Sequence, residues 1–251
     1  MDVCERREII RIARKGAFRV DETIVAEASF VLILNGIETT RFFCTPCFLE
    51  PLAIGWLLSN QVIGGMKDIE KLSVNTDEGT ICVKKGDGSS AFHCKAEEPS
   101  PFFTISNEQI EQIFQIFNVS SDLFNSTGGV HSCAVLPKEL IEGFNGGFPV
   151  FMEDISRRNA VLKAVGSMLM KDMSSWNSIL LFSGRLALEI VDTAARLGFQ
   201  IILAAGAPSL AAIEVADNNG VTLAGFIKPD KINVYTHPQR IASERVNDSY
   251  A

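Results

Sequence analysis

The chain has 251 residues, 47% hydrophobic and 21% charged, with a formal net charge of −7. That is enough for one large or two small domains with a sizeable core, and the composition excludes a disordered, collagen-like or simple coiled-coil protein. The negative balance repels nucleic acid and anionic membrane, so neither is an expected partner, and a nucleotide or phosphate ligand requires a local basic pocket.

Residues 1–16 alternate charged and aliphatic side chains without the apolar core of an export signal. No apolar run reaches the roughly 18 residues needed to span a bilayer, so a cytoplasmic protein is expected. From Thr23 to Lys95 short apolar segments are broken by tight turns, which predicts a small α+β antiparallel domain. Segments 24–34 and 37–43 flank Asn35-Gly36, two residues that tolerate positive φ, and so predict a hairpin. Segments 72–76, 80–85 and 90–94 continue the meander. Between these groups Leu49, Leu52, Ala53, Trp56 and Leu57 fall at helical spacing, predicting about four turns of helix closed by Gly64-Gly65.

A connector with two prolines, 96–106, then separates two styles of sequence, giving domains 1–105 and 106–251. Ile110, Ile113, Phe114 and Phe117 share a helix face. After Pro149 a long helix is expected over 153–173, with Glu153 and Asp154 at its positive end. Strands at 178–182, 199–205, 221–227 and 232–236 alternate with helices at 186–198 and 209–220. That alternation predicts an α/β domain with a mostly parallel sheet.

In open α/β sheets, ligands sit beyond the carboxyl ends of the strands. Three loops there carry small or basic residues: Ser183-Gly184-Arg185, Gly206-Ala207-Pro208-Ser209 and Lys228-Pro229-Asp230-Lys231. Close backbone approach, free helix N–H groups and charge together suit a phosphorylated or nucleotide-like molecule, although turns use the same residues without any ligand. Thr127-Gly128-Gly129-Val130-His131-Ser132-Cys133 is the densest constellation. On a strand His131 and Cys133 share a face, and a protonated imidazole favours a nucleophilic thiolate. The alternative is a core histidine beside a buried thiol.

Six cysteines (Cys4, Cys44, Cys47, Cys82, Cys94, Cys133) are too few for a disulfide scaffold, and with three histidines no tight zinc-type cluster forms. Cys44-Thr45-Pro46-Cys47 has redox-motif spacing just before a helix, but without a βαβ context the spacing reads as coincidence. Arg157, Arg158 and Asn159 form either a solvated face or an Arg pair aimed at phosphate, with Asn159 as a hydrogen-bonding partner.

Taken together, TPCFLEPLAIGWLLSNQVI, STGGVHSCAVL, EDISRRNAVLKAVG, LFSGRLALEIVDTAARLG, GAPSLAA, TLAGFI and INVYTHPQRI resemble, in order, the motifs of the FdhD/NarQ formate dehydrogenase accessory family. The resemblance implies a cytidine-deaminase-like α/β domain and, usually, a homodimer. It implies a sulfurtransferase that takes persulfide sulfur from a cysteine desulfurase. The sulfur passes to the molybdenum cofactor, bis-molybdopterin guanine dinucleotide, before insertion into formate dehydrogenase; guanosine diphosphate would be a partial mimic of that cargo. Matching the family's motifs, Ser183, Gly184, Arg185, Ala207, Pro208 and Ser209 would line the cofactor cavity. Phe226, Ile227, Lys228, Pro229, Asp230 and Lys231 would contact the guanine nucleotide end. Thr127, Gly128, Gly129 and His131, together with Asp154, Arg157, Arg158 and Asn159, would complete it.

The departures are specific. The family's sulfur-carrying Cys-x-x-Cys falls in a loop that here, at 95–109, contains no cysteine. Ser156, Arg158 and Leu162 stand where the family has Gly, His and an acid, and Lys228 where Arg is common. Two functions are therefore carried forward. One is a sulfur carrier using Cys133 beside His131, with Cys94 second; the other is a non-catalytic cofactor chaperone that has lost the relay. A zinc deaminase is excluded: His131 is followed by Cys133 in place of the glutamate, and Pro46-Cys47 by Glu50 in place of a second cysteine.

Overall fold

The computed structural model describes residues 1–86, 103–229 and 231–242. In chain order the elements are β1 (Cys4–Ala13), β2 (Gly16–Val25), β3 (Ala28–Leu34), β4 (Ile37–Cys44), α1 (Leu49–Ser59), β5 (Ile69–Asn75), β6 (Thr80–Lys85), β7 (Ile105–Ser106), α2 (Asn107–Val119) and α3 (Asp122–Thr127). They continue with β8 (His131–Pro137), β9 (Val150–Asp154), α4 (Arg157–Met170), β10 (Ser178–Phe182), α5 (Leu188–Arg196), β11 (Ile201–Ala204), α6 (Leu210–Asn218), β12 (Thr222–Lys228), β13 (Lys231–Thr236) and β14 (Ile241–Ala242). Two compact units interleave along the chain. The first comprises Met1–Phe92, Ser121–Ser132 and Met152–Met170; the second comprises His93–Ser120, Cys133–Phe151 and Lys171–Ala251. The units are thus not divided once at residue 105, because α4 packs against α1 and carries its segment into the first unit.

In the first unit β1 and β2 form a long antiparallel hairpin, held across its strands by Arg19–Glu8 at 2.5 Å and by Arg11–Glu22. The sequence reading placed no strand before residue 24; here 24–34 breaks at Ala26 and Glu27, and its first two residues end the hairpin. A second sheet has the order β4-β3-β6-β5. Asn35 (φ 50°) and Gly36 (φ 83°) turn β3 into β4 as expected. The sheet is not a pure antiparallel meander, since β3 and β6 run parallel. The chain makes a long crossover through β4, α1 and β5 between them, which is what parallel pairing requires.

Helix α1 stops at Ser59, before the expected Gly64-Gly65, because Asn60 caps it and Gln61 turns left-handed (φ 58°). Both α1 and α4 are buried along most of their length. They meet through glycines: a Cβ on Gly166 would stand 1.9 Å from the Pro51 carbonyl oxygen.

The second unit's sheet has the order β13-β12-β11-β10-β8-β9. It is α/β as expected, yet mixed rather than mostly parallel. The β10/β11 and β11/β12 pairs are parallel; β10/β8 and β12/β13 are antiparallel. Lys228 pairs with Lys231, and the two residues between them suffice for a hairpin but never for a parallel crossover. Helix α2, capped reciprocally by Ser106 and Gln109, buries Ile110, Ile113, Phe114 and Phe117 among Ala134, Leu136, Ile179, Leu181, Ile201 and Leu203. Residues 150–154 are a strand, so Glu153 and Asp154 lie ahead of α4 rather than inside it. Among the described residues no helix is long and apolar enough to cross a membrane.

Candidate functional site

In the second unit the strand-end turns are packed backbone on backbone. Leu186 N–H donates to the Ala207 carbonyl and Ser209 N–H to the Leu186 carbonyl, each at 3.0 Å, while Phe226 N–H donates to the Gly206 carbonyl at 3.3 Å. A side chain at Gly206 has no room: its Cβ would fall 2.5 Å from the Gly184 oxygen and 2.8 Å from Arg185 Cα. Gly225 repeats the pattern, with a Cβ 2.6 Å from the Gly206 oxygen. The Gly184 and Gly206 turns and the Gly225-Phe226 stretch of β12 thereby form one ridge. Arg185 is exposed on it, and Ser209 spends its hydroxyl capping α6 through Ala212 N–H at 3.2 Å.

The third loop differs from expectation. Lys228 and Lys231 face each other across a hairpin, Pro229 is exposed, and Asp230 lies outside the described residues. Phe226 is left-handed (φ 52°) and 40% exposed, whereas the Ile227 side chain is buried in the core.

In the first unit the Thr127-Gly128-Gly129 segment closes α3. Gly128 is its left-handed C-cap (φ 65°), and the Thr127 hydroxyl donates to the Leu123 carbonyl while accepting from Gly129 N–H. A Cβ on Gly129 would come within 2.7 Å of Val25. These residues are accounted for by local folding. His131 opens β8, half-buried.

Asp154 is fully buried and ion-paired with Lys163, itself fully buried, at 2.6 Å. Its carboxylate also accepts from Thr45 N–H and the Thr45 hydroxyl at 3.1 Å, from Ser156 N–H at 2.8 Å and from Asn159 Nδ2 at 3.3 Å. With those sites filled, Asp154 is a positioning residue, which corrects the expectation that it contacts a cofactor. Asn159 also donates to the Phe43 carbonyl at 2.8 Å. Beside it lies a cavity of about 340 Å³, where Arg41, Trp56, Ser156 and Arg158 are part of the wall. Arg157 is half-buried and is not part of that wall. An Arg pair does face one hollow, but the second arginine is Arg41.

Cys133 lies on β8 with His131 two positions before it, so the spacing holds. It is, however, fully buried opposite Phe182 in the sheet, and desolvation pushes its thiol up. A sulfur acceptor has to ionise and be reachable, so the placement runs against Cys133 as the carrier. Cys94 lies outside the described residues. Among the described residues no three His, Cys, Asp or Glu side chains gather as metal ligands.

The model of the FdhD/NarQ family matches residues 25–98 and 80–242. The chain belongs to the FdhD/NarQ family. It is 29% identical over 259 residues to the sulfur carrier protein FdhD of Bacillus subtilis, covering 94% of this chain and 96% of that one. It is also 29% identical over 264 residues to the protein of that name from Staphylococcus haemolyticus, covering 96% and 97%. Its fold is similar to the crystal structure of a chain from Desulfotalea psychrophila described as a formate dehydrogenase accessory protein. That match has a TM-score of 0.81 and 27% identity over 96% of this chain and 100% of that one.

Within this FdhD/NarQ chain, sequence reasoning missed Thr45, Lys163, Arg41 and Trp56. Lys163 had a signal: it is the one charge in Ala160–Gly166, and a lone cation in an apolar helix segment needs a buried partner. Arg41 had none, because exposed strand arginines are ordinary.

Proposed function

We propose that this chain is a sulfur carrier, a sulfurtransferase that readies the molybdenum cofactor for a formate dehydrogenase. A cysteine desulfurase supplies sulfane sulfur, a cysteine of this chain holds it as a persulfide, and the sulfur passes to the molybdenum of bis-molybdopterin guanine dinucleotide. The cargo's guanine nucleotide end rests on the strand-end ridge of the second unit, read as cytidine-deaminase-like, and the chain works in the cytoplasm as a homodimer. The observation that carries this reading is the packing of Gly184, Gly206 and Gly225, which leaves exposed Arg185 and the N-terminus of α6 on one ridge.

Guanosine diphosphate should therefore raise the melting temperature, as any ligand of the native state must. Arg185→Ala should weaken that shift. An undiminished shift would place the phosphates elsewhere, and no shift in the unaltered protein would remove the nucleotide from the reading.

A second reading, a cofactor chaperone without a sulfur relay, is favoured by the burial of Cys133 and by the absence of cysteine from 95–109. Incubation with a desulfurase and cysteine separates the two, since a chaperone acquires no sulfur.

A further inference from the structure

Cys44 and Cys47 were set aside as coincidental spacing, but the fold gives them different surroundings. Cys44 ends β4 fully buried, and burial, followed by the nearby Asp154 carboxylate, pushes its thiol from 9.0 up to about 12. It stays protonated and out of reach. Cys47 is half-buried, two residues ahead of the first residue of α1. Its Sγ donates to the Thr45 hydroxyl at 3.6 Å, and that hydroxyl accepts from the buried Lys163 ammonium at 2.7 Å. The same ammonium also donates to the Thr45 carbonyl at 3.1 Å.

We propose that Cys47 is the sulfur-accepting thiol of this chain, with Thr45 and Lys163 as its positioning residues. This rests on the sulfur-carrier reading above and supplies the residue that reading lacks. When Cys47 ionises, the Thr45 hydroxyl turns its one proton from the Asp154 carboxylate to the thiolate, and Asp154 keeps Thr45 N–H and Lys163 as partners. Lys163 still donates to Thr45 Oγ1, which makes the hydroxyl a stronger donor. The positive end of α1 adds to the stabilisation. The buried Lys163–Asp154 pair acquires a use beyond packing, since such a pair contributes little net stability over an apolar replacement.

The step is a sulfane transfer. The Cys47 thiolate attacks the outer sulfur of a donor persulfide, and a new S–S bond forms on Cys47 as the donor's S–S bond breaks. The electron pair leaves with the donor's inner sulfur as a thiolate, and the proton from Cys47 goes to solvent. No external oxidant or reductant is needed.

The test uses the full chain, a cysteine desulfurase with cysteine as donor, alkylation of the products and peptide mapping by mass spectrometry. The expected result is one added sulfur on the Cys47 peptide, with total loading about tenfold lower in Cys47→Ala. Sulfur on Cys4, Cys82 or Cys94 with Cys47 unmodified overturns the assignment and leaves the carrier reading standing. Sulfur on no cysteine overturns both.

Thr45→Ser and Thr45→Val, each checked for native circular dichroism, separate positioning from fold. The pH midpoint for alkylation of Cys47 should rise in the valine variant and stay at the wild-type value in the serine variant. Identical midpoints would overturn the role given to Thr45 and Lys163.

Discussion

Gly55 of α1 and Leu162 of α4 are in backbone contact: a Cβ on Gly55 would stand 1.9 Å from the Leu162 carbonyl oxygen. The neighbour is main chain in the middle of a buried helix, so it cannot rotate aside. Gly55→Ala should therefore push the two helices apart and cost at least ~3 kcal/mol, the upper end of ordinary overpacking. Gly65→Ala is the control. Nothing lies within 4 Å of its Cβ position and its φ is extended, so it should change stability by less than ~0.5 kcal/mol. Urea denaturation of both variants measures the contrast, and equal stabilities would mean that the helices are not held at backbone distance.

Lys163 and Asp154 should be far more costly to break singly than together. Lys163→Met leaves a fully buried carboxylate without its cation and should cost about 3–5 kcal/mol. Lys163→Met with Asp154→Asn removes both charges and should recover part of that loss: the amide oxygen still accepts from one of the Thr45 and Ser156 N–H groups, while its NH2 leaves the other unmet. A double variant as unstable as the single would show that the pair's charge is not what the core is built around.

The buried thiols make stability fall in alkali. Cys44 is raised from 9.0 to about 12 in the folded chain, and Cys133 is raised as well, in both cases chiefly by desolvation. Between pH 9 and 12 the unfolded chain loses these protons while the folded chain keeps them. The unfolded state then binds fewer protons, and the slope of stability against pH is negative. The stabilisation is intact below pH 9 and is lost as the pH climbs, by up to about 1.4 kcal/mol per pH unit for each thiol. Cys44→Ala should flatten the decline by one thiol's share in denaturation series run from pH 8 to 11. An unaltered slope would mean that Cys44 ionises normally in the native state.

What was legible in the sequence follows from which forces act locally. Strands β10 to β12 were readable as short continuous apolar runs, which are buried, and helices α2, α5 and α6 by an apolar spacing that matches their buried faces. Asn35-Gly36 was readable because turn chemistry is local. The hairpin of β1 and β2 was not: its charged and aliphatic side chains are mostly exposed on both faces, so no buried apolar face singles out its strands. The parallel pairing of β3 with β6 was hidden because register between distant segments is tertiary. In the candidate site, the small-residue turns were visible as composition, while their contact through Gly206 was not. Thr45, Lys163 and Asp154 are separated by more than a hundred residues on one side, and three dimensions were needed to make Cys47 more than one half of a spacing.

Gly206 gives the final prediction, because it lies between two turns at once. Its Cβ position is 2.5 Å from the Gly184 oxygen, and its own oxygen lies 2.6 Å from a Cβ on Gly225. Gly206→Ala should separate the Gly184-Arg185 turn from the turn that leads into α6, at a cost of about 1–3 kcal/mol. The same displacement moves Arg185 away from the α6 N-terminus, so guanosine diphosphate should raise the melting temperature of the variant less than that of the unaltered chain. Thermal melts with and without the nucleotide, each referred to its own ligand-free melt, separate the two effects. A variant that melts lower but keeps the full ligand shift would show that the nucleotide does not depend on the contact between these turns.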